Sequence, residues 1–293
     1  MKTILLFIKS MRVKNLWVKN LPIFAPMIFS LTFSQSGYII NSLLAFILFG
    51  FITGAIYVFN DCFDRKEDKL HPGKAMRPIA SGNLSVPAAV IGASSILVSI
   101  LIAILAINRD FFIITLIYIG MNLLYSSYFK KVVILDVLFI AVGFVIRVEI
   151  GGVVNKIKLS PWILVITFLI AIFLALIKRR QELVKIGIAN EKIATRKTLN
   201  KYNLALLDQL ISISTSTTLI SYLIYVLNPD IREKFHTEKL YLTVPFVVFG
   251  IFRYLYLTYT KGKGENPAEI IFSDITFTVN IVLWVIAFVL LIV

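Results

Sequence analysis

The feature that most constrains the fold of this chain is a succession of apolar runs, each close to twenty residues long. An α-helix needs ~20 residues to cross the hydrocarbon core of a bilayer, and it satisfies its own backbone hydrogen bonds there. We therefore predict an all-α polytopic membrane protein, a bundle of nine transmembrane helices forming one domain over residues 1–293. The predicted spans are residues 20–35, 41–59, 86–107, 111–128, 133–150, 160–177, 206–227, 240–259 and 272–293.

Composition agrees with a membrane protein and excludes several classes of soluble protein. Hydrophobic residues make up 58% of the chain, against the ~45–50% that is typical of soluble domains. The single cysteine, Cys62, excludes a disulfide framework and a cysteine-rich metal site. The net charge of +14 indicates cytoplasmic loops and anionic lipid headgroups, and no nucleic-acid partner is expected.

The distribution of basic residues predicts how the chain is oriented. With a cytoplasmic N-terminus, 22 of the 30 Lys and Arg residues fall on the inner side, six on the outer side and two within spans. Positively charged loops favour the cytoplasmic side. We therefore expect a multi-pass protein of the plasma membrane, with its N-terminus and its chemistry at the cytoplasmic face.

The stretch after the second predicted span carries the clearest candidate site. Asp61, Asp64 and Asp68, here called the acid motif, fall within an arc of about 60° if the helix continues. Carboxylates this close repel each other unless a cation lies between them. Oxygen ligands without a His or Cys partner favour Mg²⁺ shared with substrate phosphates. Lys74 and Arg77 follow as phosphate donors. The alternative is a solvated loop of mixed charge.

Two further groups of polar residues have a structural alternative. Lys19 and Asn20 precede the first span and either bind phosphate or belong to an interfacial belt around Trp17. Lys130, after the fourth span, is a phosphate donor or a positive-inside anchor.

Charged residues inside or at the ends of spans are also candidates. Asp136 and Arg147 share one face of the fifth span, but at ~1.5 Å per residue they lie ~16 Å apart and cannot pair directly. Intramembrane ionisable residues are functional candidates by default, and Arg253 in the eighth span is another. Lys178, beside Arg179 and Glu182, closes the sixth span, where a stop-transfer cluster is the alternative.

Taken together, these residues resemble the UbiA superfamily of intramembrane prenyltransferases over nearly the whole chain. The superfamily motif N-D-x-x-D-x-x-x-D is matched by Asn60 and the acid motif. The resemblance implies a UbiA-type bundle of nine helices, Mg²⁺ as cofactor with the acid motif as metal ligands and catalytic residues, and substrate binding by Asn60.

The chain is most similar to the decaprenyl-phosphate phosphoribosyltransferase branch of that superfamily. A W-x-K-N motif is matched by Trp17, Lys19 and Asn20, and an H-P-x-K-x-x-R-P-I-A-x-G motif by His71, Pro72, Lys74, Arg77, Pro78, Ile79, Ala80 and Gly82. Positions that are similar as well, and that the resemblance implies in substrate binding, are Tyr125, Lys130, Asp136, Arg147, Lys178, Arg179, Glu182 and Arg253.

One departure from ordinary UbiA prenyltransferases bears on the substrate. Those enzymes carry a second aspartate-rich motif between helices six and seven, where this chain begins with Lys178-Arg179-Arg180-Gln181-Glu182 and has Asp208 as its only aspartate. Cations suit a phosphate that is bound without its own metal ion. One metal site with separate cationic sites fits phosphoribosyl diphosphate and a polyprenyl phosphate.

The resulting hypothesis is Mg²⁺-dependent transfer of 5-phosphoribose from 5-phosphoribosyl 1-diphosphate to a polyprenyl phosphate, by an enzyme that could form a homo-oligomer. One alternative is prenyl transfer from a prenyl diphosphate to an aromatic or lipid acceptor, for which the second acid motif is missing. A transporter is the other alternative, but the sequence shows no pair of Gly/Pro-broken spans at matched places in two halves.

Overall fold

The computed structural model describes residues 2–32, 34–70, 73–189, 199–262, 270 and 273–292. Within these residues all regular structure is helical, so the predicted all-α class is confirmed. The helices are α1 (Lys2–Ser10), α2 (Val13–Asn20), α3 (Ala25–Phe29), α4 (Ser36–Phe63), α5 (Arg65–Leu70), α6 (Val86–Ile107), α7 (Arg109–Ser127), α8 (Leu135–Val154), α9 (Pro161–Ala189), α10 (Leu204–Leu227), α11 (Pro229–Phe235), α12 (Val244–Lys261) and α13 (Ile275–Ile292).

Eight helices in the described part of the chain are long and apolar enough to cross a membrane. They correspond to the second to ninth predicted spans: α4, α6, α7, α8, α9, α10, α12 with the preceding 3-10 turn, and α13. Large apolar side chains on their outer faces are exposed, such as Ile91 and Ile102 of α6 and Leu290 of α13. Lipid can cover such surfaces, so the chain is a multi-pass membrane protein.

The first predicted span, residues 20–35, differs from the other eight. It is built from the end of α2, a 3-10 turn over Leu21–Phe24, and the short helix α3. Pro22 and Pro26 each stand in the first turn of a segment, where a missing N–H donor costs little. Leu31 then has a positive φ of 60° and ends the helical path. The count of nine spans stays a prediction.

The chain divides into two compact units. The N-terminal unit comprises the described part of Met1–Ser160 with the turn Leu199–Lys201, and the C-terminal unit comprises α9 and the described part of Tyr202–Val293. Whether the two behave as the single predicted domain stays a prediction.

In the N-terminal unit, α4 is the central helix. It packs against α6, α7 and α8 and against the short helices α1 and α2. Its buried face carries Phe49 and Ile52, which join Ile104, Phe111 and Ile150 in one apolar core. A second cluster holds α1 and the connection after α5 against α4. Both ends of the site-bearing segment are therefore fixed by buried apolar contacts.

A close approach of two backbones fixes the start of the chain against α8. A Cβ added to Gly151 would lie 2.0 Å from the carbonyl oxygen of Ile23. Only glycine permits this contact between the 3-10 turn and α8. The turn directly follows Lys19 and Asn20, so the contact also sets where those two residues lie.

In the C-terminal unit, α9 packs against α10, and α12 packs against α13. Several of its buried polar groups are paired, which offsets the cost of burying them. Tyr222 and Thr243 share a hydrogen bond of 2.7 Å between their hydroxyls, and Trp284 Nε1 donates to Tyr222 at 3.1 Å. Gln181 donates to the carbonyl of Thr258 at 2.9 Å, which ties α9 to α12.

Candidate active site

The acid motif lies where α4 ends and α5 begins. Asp61 is in the last turn of α4, Asp64 follows that helix directly, and Asp68 lies in α5. Asp61 and Asp68 are 3% and 4% exposed. The C-terminal end of a helix carries partial negative charge from its free carbonyls. Burial, helix end and carboxylates together make this a strongly cation-favouring position.

Arg77 joins two acids of the motif through a single nitrogen. Its Nη1 donates to Asp68 Oδ2 at 2.6 Å and to Asp61 Oδ1 at 3.1 Å. Buried carboxylates need such compensation, since an unpaired buried charge is costly. The predicted convergence of Asp61 and Asp68 on one cationic position is therefore present, with a guanidinium at that position.

Arg12 is a second basic partner of Asp61, and the sequence analysis had not placed it among the site residues. Its Nη2 donates to Asp61 Oδ1. The guanidinium also lies over the ring of Tyr57, 5.0 Å from the centroid. The available signal was its position directly before α2, the helix that carries Lys19, but nothing in the spacing indicated which acid it would reach.

The third acid of the motif turns to a different cation. Lys130, in the 3-10 turn after α7, donates to Asp64 Oδ1. Beside it, the hydroxyl of Ser126 donates to Asn60 Oδ1. The predicted residues Asn60, Asp64 and Lys130 thus come together across α4 and α7 although 66 residues separate the partners in each pair.

The acid motif fits a magnesium ion through two of its members more readily than through three. Within the described residues, no group of three or more His, Cys, Asp and Glu converges closely enough to hold a metal. Mg²⁺ is usually bound by one or two carboxylates, with waters and substrate phosphates completing its shell. Asp61 and Asp68, bridged by one nitrogen, meet that requirement. Metal binding by all three acids of the motif stays a prediction.

A polar seam continues from Asp61 along the same face of α4. Tyr57 and Thr53 follow at intervals of four residues, which places all three on one side of the helix. Lys19 donates to the Tyr57 hydroxyl at 2.7 Å, and Asn20 donates to Thr53 Oγ1 at 3.3 Å. At ~1.5 Å per residue, Thr53 lies ~12 Å along the helix from Asp61.

Arg147 lies at the end of this seam that is farther from Asp61. Its Nε donates to Asn20 Oδ1 at 2.8 Å and its Nη2 to the Tyr118 hydroxyl at 2.9 Å. It is only 6% exposed, and the rings of Phe49 and Phe144 lie within 5.5 Å of its guanidinium carbon. Among the described residues none of its contacts is with a carboxylate. A buried cation without an acidic partner suits an anionic ligand.

The remaining predicted residues of the N-terminal unit lie at helix ends or in the connections between helices. Asp136 is in the first turn of α8 and is 1% exposed. The Tyr125 ring stacks on Phe139, with ring centroids 6.2 Å apart. Lys74 lies between α5 and α6, where its carbonyl accepts from the Arg77 backbone at 3.0 Å. The motif residues His71 and Pro72 lie outside the described residues.

The C-terminal unit holds its charges in internal pairs. Arg179, 3% exposed, donates to Glu182 at 2.8 Å, while Lys178 on the same helix is exposed. Arg180 Nε donates to Asp208 Oδ1 at 2.6 Å, and the Tyr259 hydroxyl donates to the same oxygen at 2.6 Å. The guanidinium of Arg180 also covers the Tyr259 ring at 3.9 Å. The lone aspartate of this segment is therefore held by an arginine and a tyrosine.

Arg253, a predicted substrate ligand, makes a two-pronged ion pair with Asp274. Its Nε and Nη2 donate to the two carboxylate oxygens at 3.1 and 2.8 Å. Asp274 also accepts from the backbone N–H of Phe277 at 2.9 Å and so caps α13. The hydrogen bond from Arg253 holds the pKa of Asp274 below its ordinary value. A role for Arg253 in substrate binding stays a prediction.

With this geometry in hand, comparison with known proteins identifies the family. The model of the UbiA prenyltransferase family matches residues 23–272. The chain belongs to the UbiA prenyltransferase family. The predicted superfamily is thereby confirmed, and the match covers both units.

Curated relatives of this UbiA member include phosphoribosyltransferases. The decaprenyl-phosphate phosphoribosyltransferase of Corynebacterium glutamicum is 30% identical over 286 residues, which is 95% of this chain and 84% of that protein. The protein of the same name from Mycolicibacterium smegmatis is 27% identical over 288 residues, 95% of this chain and 89% of that protein. The chain spans about half of another relative, the uncharacterized protein y4nM of Sinorhizobium fredii, with 29% identity over 264 residues, 89% of this chain and 51% of that protein.

Solved structures agree on the fold. A UbiA homolog from Archaeoglobus fulgidus bound to DMAPP and Mg²⁺ superposes with a TM-score of 0.72, at 19% identity over 95% of this chain and 96% of that one. A digeranylgeranylglyceryl phosphate synthase structure gives a TM-score of 0.67, at 20% identity over 99% of both chains. The UbiA-type helical fold is confirmed.

Proposed function

We propose that this transferase of the UbiA family is a polyprenyl-phosphate phosphoribosyltransferase. It moves 5-phosphoribose from 5-phosphoribosyl 1-diphosphate to a polyprenyl phosphate and releases diphosphate. The curated relatives named for this reaction match 95% of the chain. In this proposal the reaction takes place on the cytoplasmic side of the membrane. The excess of Lys and Arg in the segments near the acid motif supports this orientation.

The observation that carries this proposal is the unequal distribution of acids. The N-terminal unit brings Asp61 and Asp68 together on one cationic position. In the C-terminal unit, Asp208 is held by Arg180 and Tyr259, and the stretch of α9 that supplies Arg180 also carries Lys178 and Arg179. One acidic cluster suits one metal-bound diphosphate, whereas cations alone suit the phosphate of a second group.

The residues of the seam would divide the work between leaving group and acceptor. A magnesium ion held by Asp61 and Asp68 would neutralise charge on the leaving diphosphate. Arg77, which pairs with both of those acids, and Lys130, which pairs with Asp64, would donate to the diphosphate oxygens. The candidate donors to the remaining phosphates of the two substrates are Lys19, Arg147 and Lys74, which lies in the connection after α5.

The chemistry itself needs few further groups. An oxygen of the lipid phosphate, already anionic, attacks C1 of the ribose and forms the new C–O bond. The bond between C1 and the diphosphate oxygen breaks, and diphosphate leaves with the electron pair. No strong general base is required because the nucleophile carries its own negative charge. Asn60, held by Ser126 at the same helix end, would orient the substrate.

The test is a transfer assay with the purified full-length protein in detergent. We expect Mg²⁺, phosphoribosyl diphosphate and a short polyprenyl phosphate to give a phosphoribosylated lipid, detected by mass spectrometry. A parallel reaction offers a prenyl diphosphate and an aromatic acceptor. Prenyl transfer in the second reaction without product in the first would refute the proposal and favour ordinary UbiA chemistry.

A further inference from the structure

Every acid of the motif is paired with a basic side chain. Asp61 is bound by Arg12 and Arg77, Asp68 by Arg77, and Asp64 by Lys130. The two acids that fit a metal ion are therefore balanced by two guanidinium groups. The position between Asp61 and Asp68 therefore carries little net negative charge.

Arg12 is held at this position by its surroundings. It lies in the turn between α1 and α2 with φ 54° and ψ 43°. Residues other than glycine rarely adopt this left-handed backbone conformation. The preceding residue, Met11, is buried in the apolar cluster that includes Ala55 and Val58 of α4. Strained backbone of this kind persists where the surrounding structure enforces it.

The guanidinium of Arg12 lies between two partners and remains accessible. Asp61 accepts from it on one side, and the ring of Tyr57 supports it at 5.0 Å on the other. Its side chain is 28% exposed. A ligand arriving from water can therefore reach it, and the Tyr57 ring can keep it in place once Asp61 turns elsewhere.

The guanidinium groups of Arg12 and Arg77 would repel a free divalent cation but attract a cation that is bound to diphosphate. A bare ion between Asp61 and Asp68 would lie close to the guanidinium groups of Arg12 and Arg77, and like charges repel strongly at partly buried sites. A diphosphate that arrives with the ion carries negative oxygens to which both guanidinium groups can donate. Repulsion in the first case becomes attraction in the second.

We propose, relying on the proposed function only for the choice of diphosphate as ligand, that Arg12 makes metal binding at the acid motif depend on diphosphate. In the metal-free site Arg12 neutralises Asp61. When a metal–diphosphate complex enters, Asp61 turns to the metal and Arg12 donates to the diphosphate. Arg12 is thus a specificity-determining residue that rejects the bare ion and accepts the complex.

The experiment measures the two binding events separately on the full-length protein in detergent. The EPR signal of unbound Mn²⁺ reports binding of the bare ion, and retention of radiolabelled inorganic diphosphate at saturating Mn²⁺ reports binding of the complex. The variants are Arg12→Gln and, as matched control, Lys9→Gln, which removes one positive charge from an exposed position on α1.

For Arg12→Gln we expect changes of opposite sign. Loss of a charge-assisted hydrogen bond and its competing charge should tighten bare Mn²⁺ binding by about tenfold and weaken binding of the Mn²⁺–diphosphate complex by about tenfold. Lys9→Gln should leave both affinities at the wild-type level. A merely structural role for Arg12 would weaken both or neither, and either result overturns the proposal.

Two further measurements keep the proposal open to refutation if Arg12→Gln folds poorly. Arg12→Lys retains the charge but loses the planar fork, so bare Mn²⁺ binding should stay weak while binding of the complex falls. In the wild-type protein alone, bare Mn²⁺ that binds as tightly as the complex would overturn the proposal. Because only inorganic diphosphate is used, failure of phosphoribosyl transfer would not affect these results.

Discussion

The two units of this protein treat their charged residues in opposite ways. In the N-terminal unit, the acids of the motif are concentrated where α4 ends, and cations from three separate connections pair with them. In the C-terminal unit, Glu182, Asp208 and Asp274 each pair with an arginine. In the proposed function the first arrangement exchanges its cations for a metal-bound ligand, whereas the pairs of the second stabilise the packing of its own helices.

The largest expected effect comes from exchanging an aspartate for asparagine in each unit. Asp64→Asn removes a charge from the acid motif and should lower the transfer rate by about 100-fold or more, as for loss of an electrostatic catalytic group. Asp208→Asn removes a charge that Arg180 and Tyr259 contact, and it should change the rate by about threefold or less, because exposed ion pairs contribute little.

Initial rates of phosphoribosyl transfer at saturating Mg²⁺, together with folded yield from size-exclusion chromatography, would check this pair. Equal losses in the two variants would contradict the contrast, because Asp208 would then act as a second catalytic acid. Asp110→Asn, at the exposed opposite end of α7, controls for loss of charge alone.

A smaller effect is expected on the packing that supports the N-terminal site. Gly151→Ala places a methyl group 2.0 Å from the carbonyl oxygen of Ile23, and overpacking of this kind costs about 1–3 kcal/mol. Both the melting temperature in detergent and the transfer rate should fall, since Lys19 and Asn20 directly precede the displaced turn.

Gly120→Ala is the matched control, because nothing lies within 4 Å of the Cβ that it would add. We expect it to retain the wild-type melting temperature or to raise it slightly. A Gly151→Ala protein as stable and active as Gly120→Ala would show that the close contact with Ile23 is not needed to position the site.

The smallest effect tests the ion pair of the C-terminal unit. The pKa of Asp274 is lowered by the hydrogen bond from Arg253, so its charged form is stabilised by folding. Such a group stabilises the protein fully above its ordinary pKa of 3.8, and the contribution is lost as the pH falls through the lower pKa of the folded state. Asp274→Asn keeps a side chain that can cap the helix but loses the charge that pairs with Arg253, so it should destabilise the protein at pH 7 by about 1 kcal/mol at most.

Melting temperatures measured from pH 7 down to pH 3 would check this expectation. The difference between the wild type and Asp274→Asn should shrink as the pH falls below about 4, because the unfolded chain then takes up a proton at Asp274, and it should vanish once the pH is below the lower pKa of the folded state. A difference that is constant across this range would mean that the charge of Asp274 contributes nothing, and the pairing with Arg253 would have to be reconsidered.

Much of the fold followed from the sequence because membrane helices have a local signature. Eight of the nine apolar runs coincide with long helices, since length and hydropathy alone satisfy the bilayer. The first run could not be read this way. The predicted span 20–35 contains Pro22 and Pro26, and the segment is divided into a 3-10 turn and a short helix. Where proline divides a helix depends on its neighbours, here on the approach to Gly151.

The candidate site was only partly predictable for a related reason. The spacing of Asp61, Asp64 and Asp68 on one helix stripe is a consequence of helix geometry. Partners that lie far away in the sequence carry no such signal. Arg12 reaches Asp61 across 49 residues, and Arg147 reaches Asn20 across 127. Arg253 pairs with Asp274 across 21 residues, and no local pattern had indicated that partner.

The sequence by itself therefore determined the class of fold, the position of the acid motif and the absence of a second aspartate-rich motif. Each of these depends on residues that are close in the chain, where backbone geometry fixes their relation. Only the tertiary structure decided which cation pairs with which acid. Those relations depend on how α1, α4, α7 and α8 pack, and packing brings together residues that no local pattern connects.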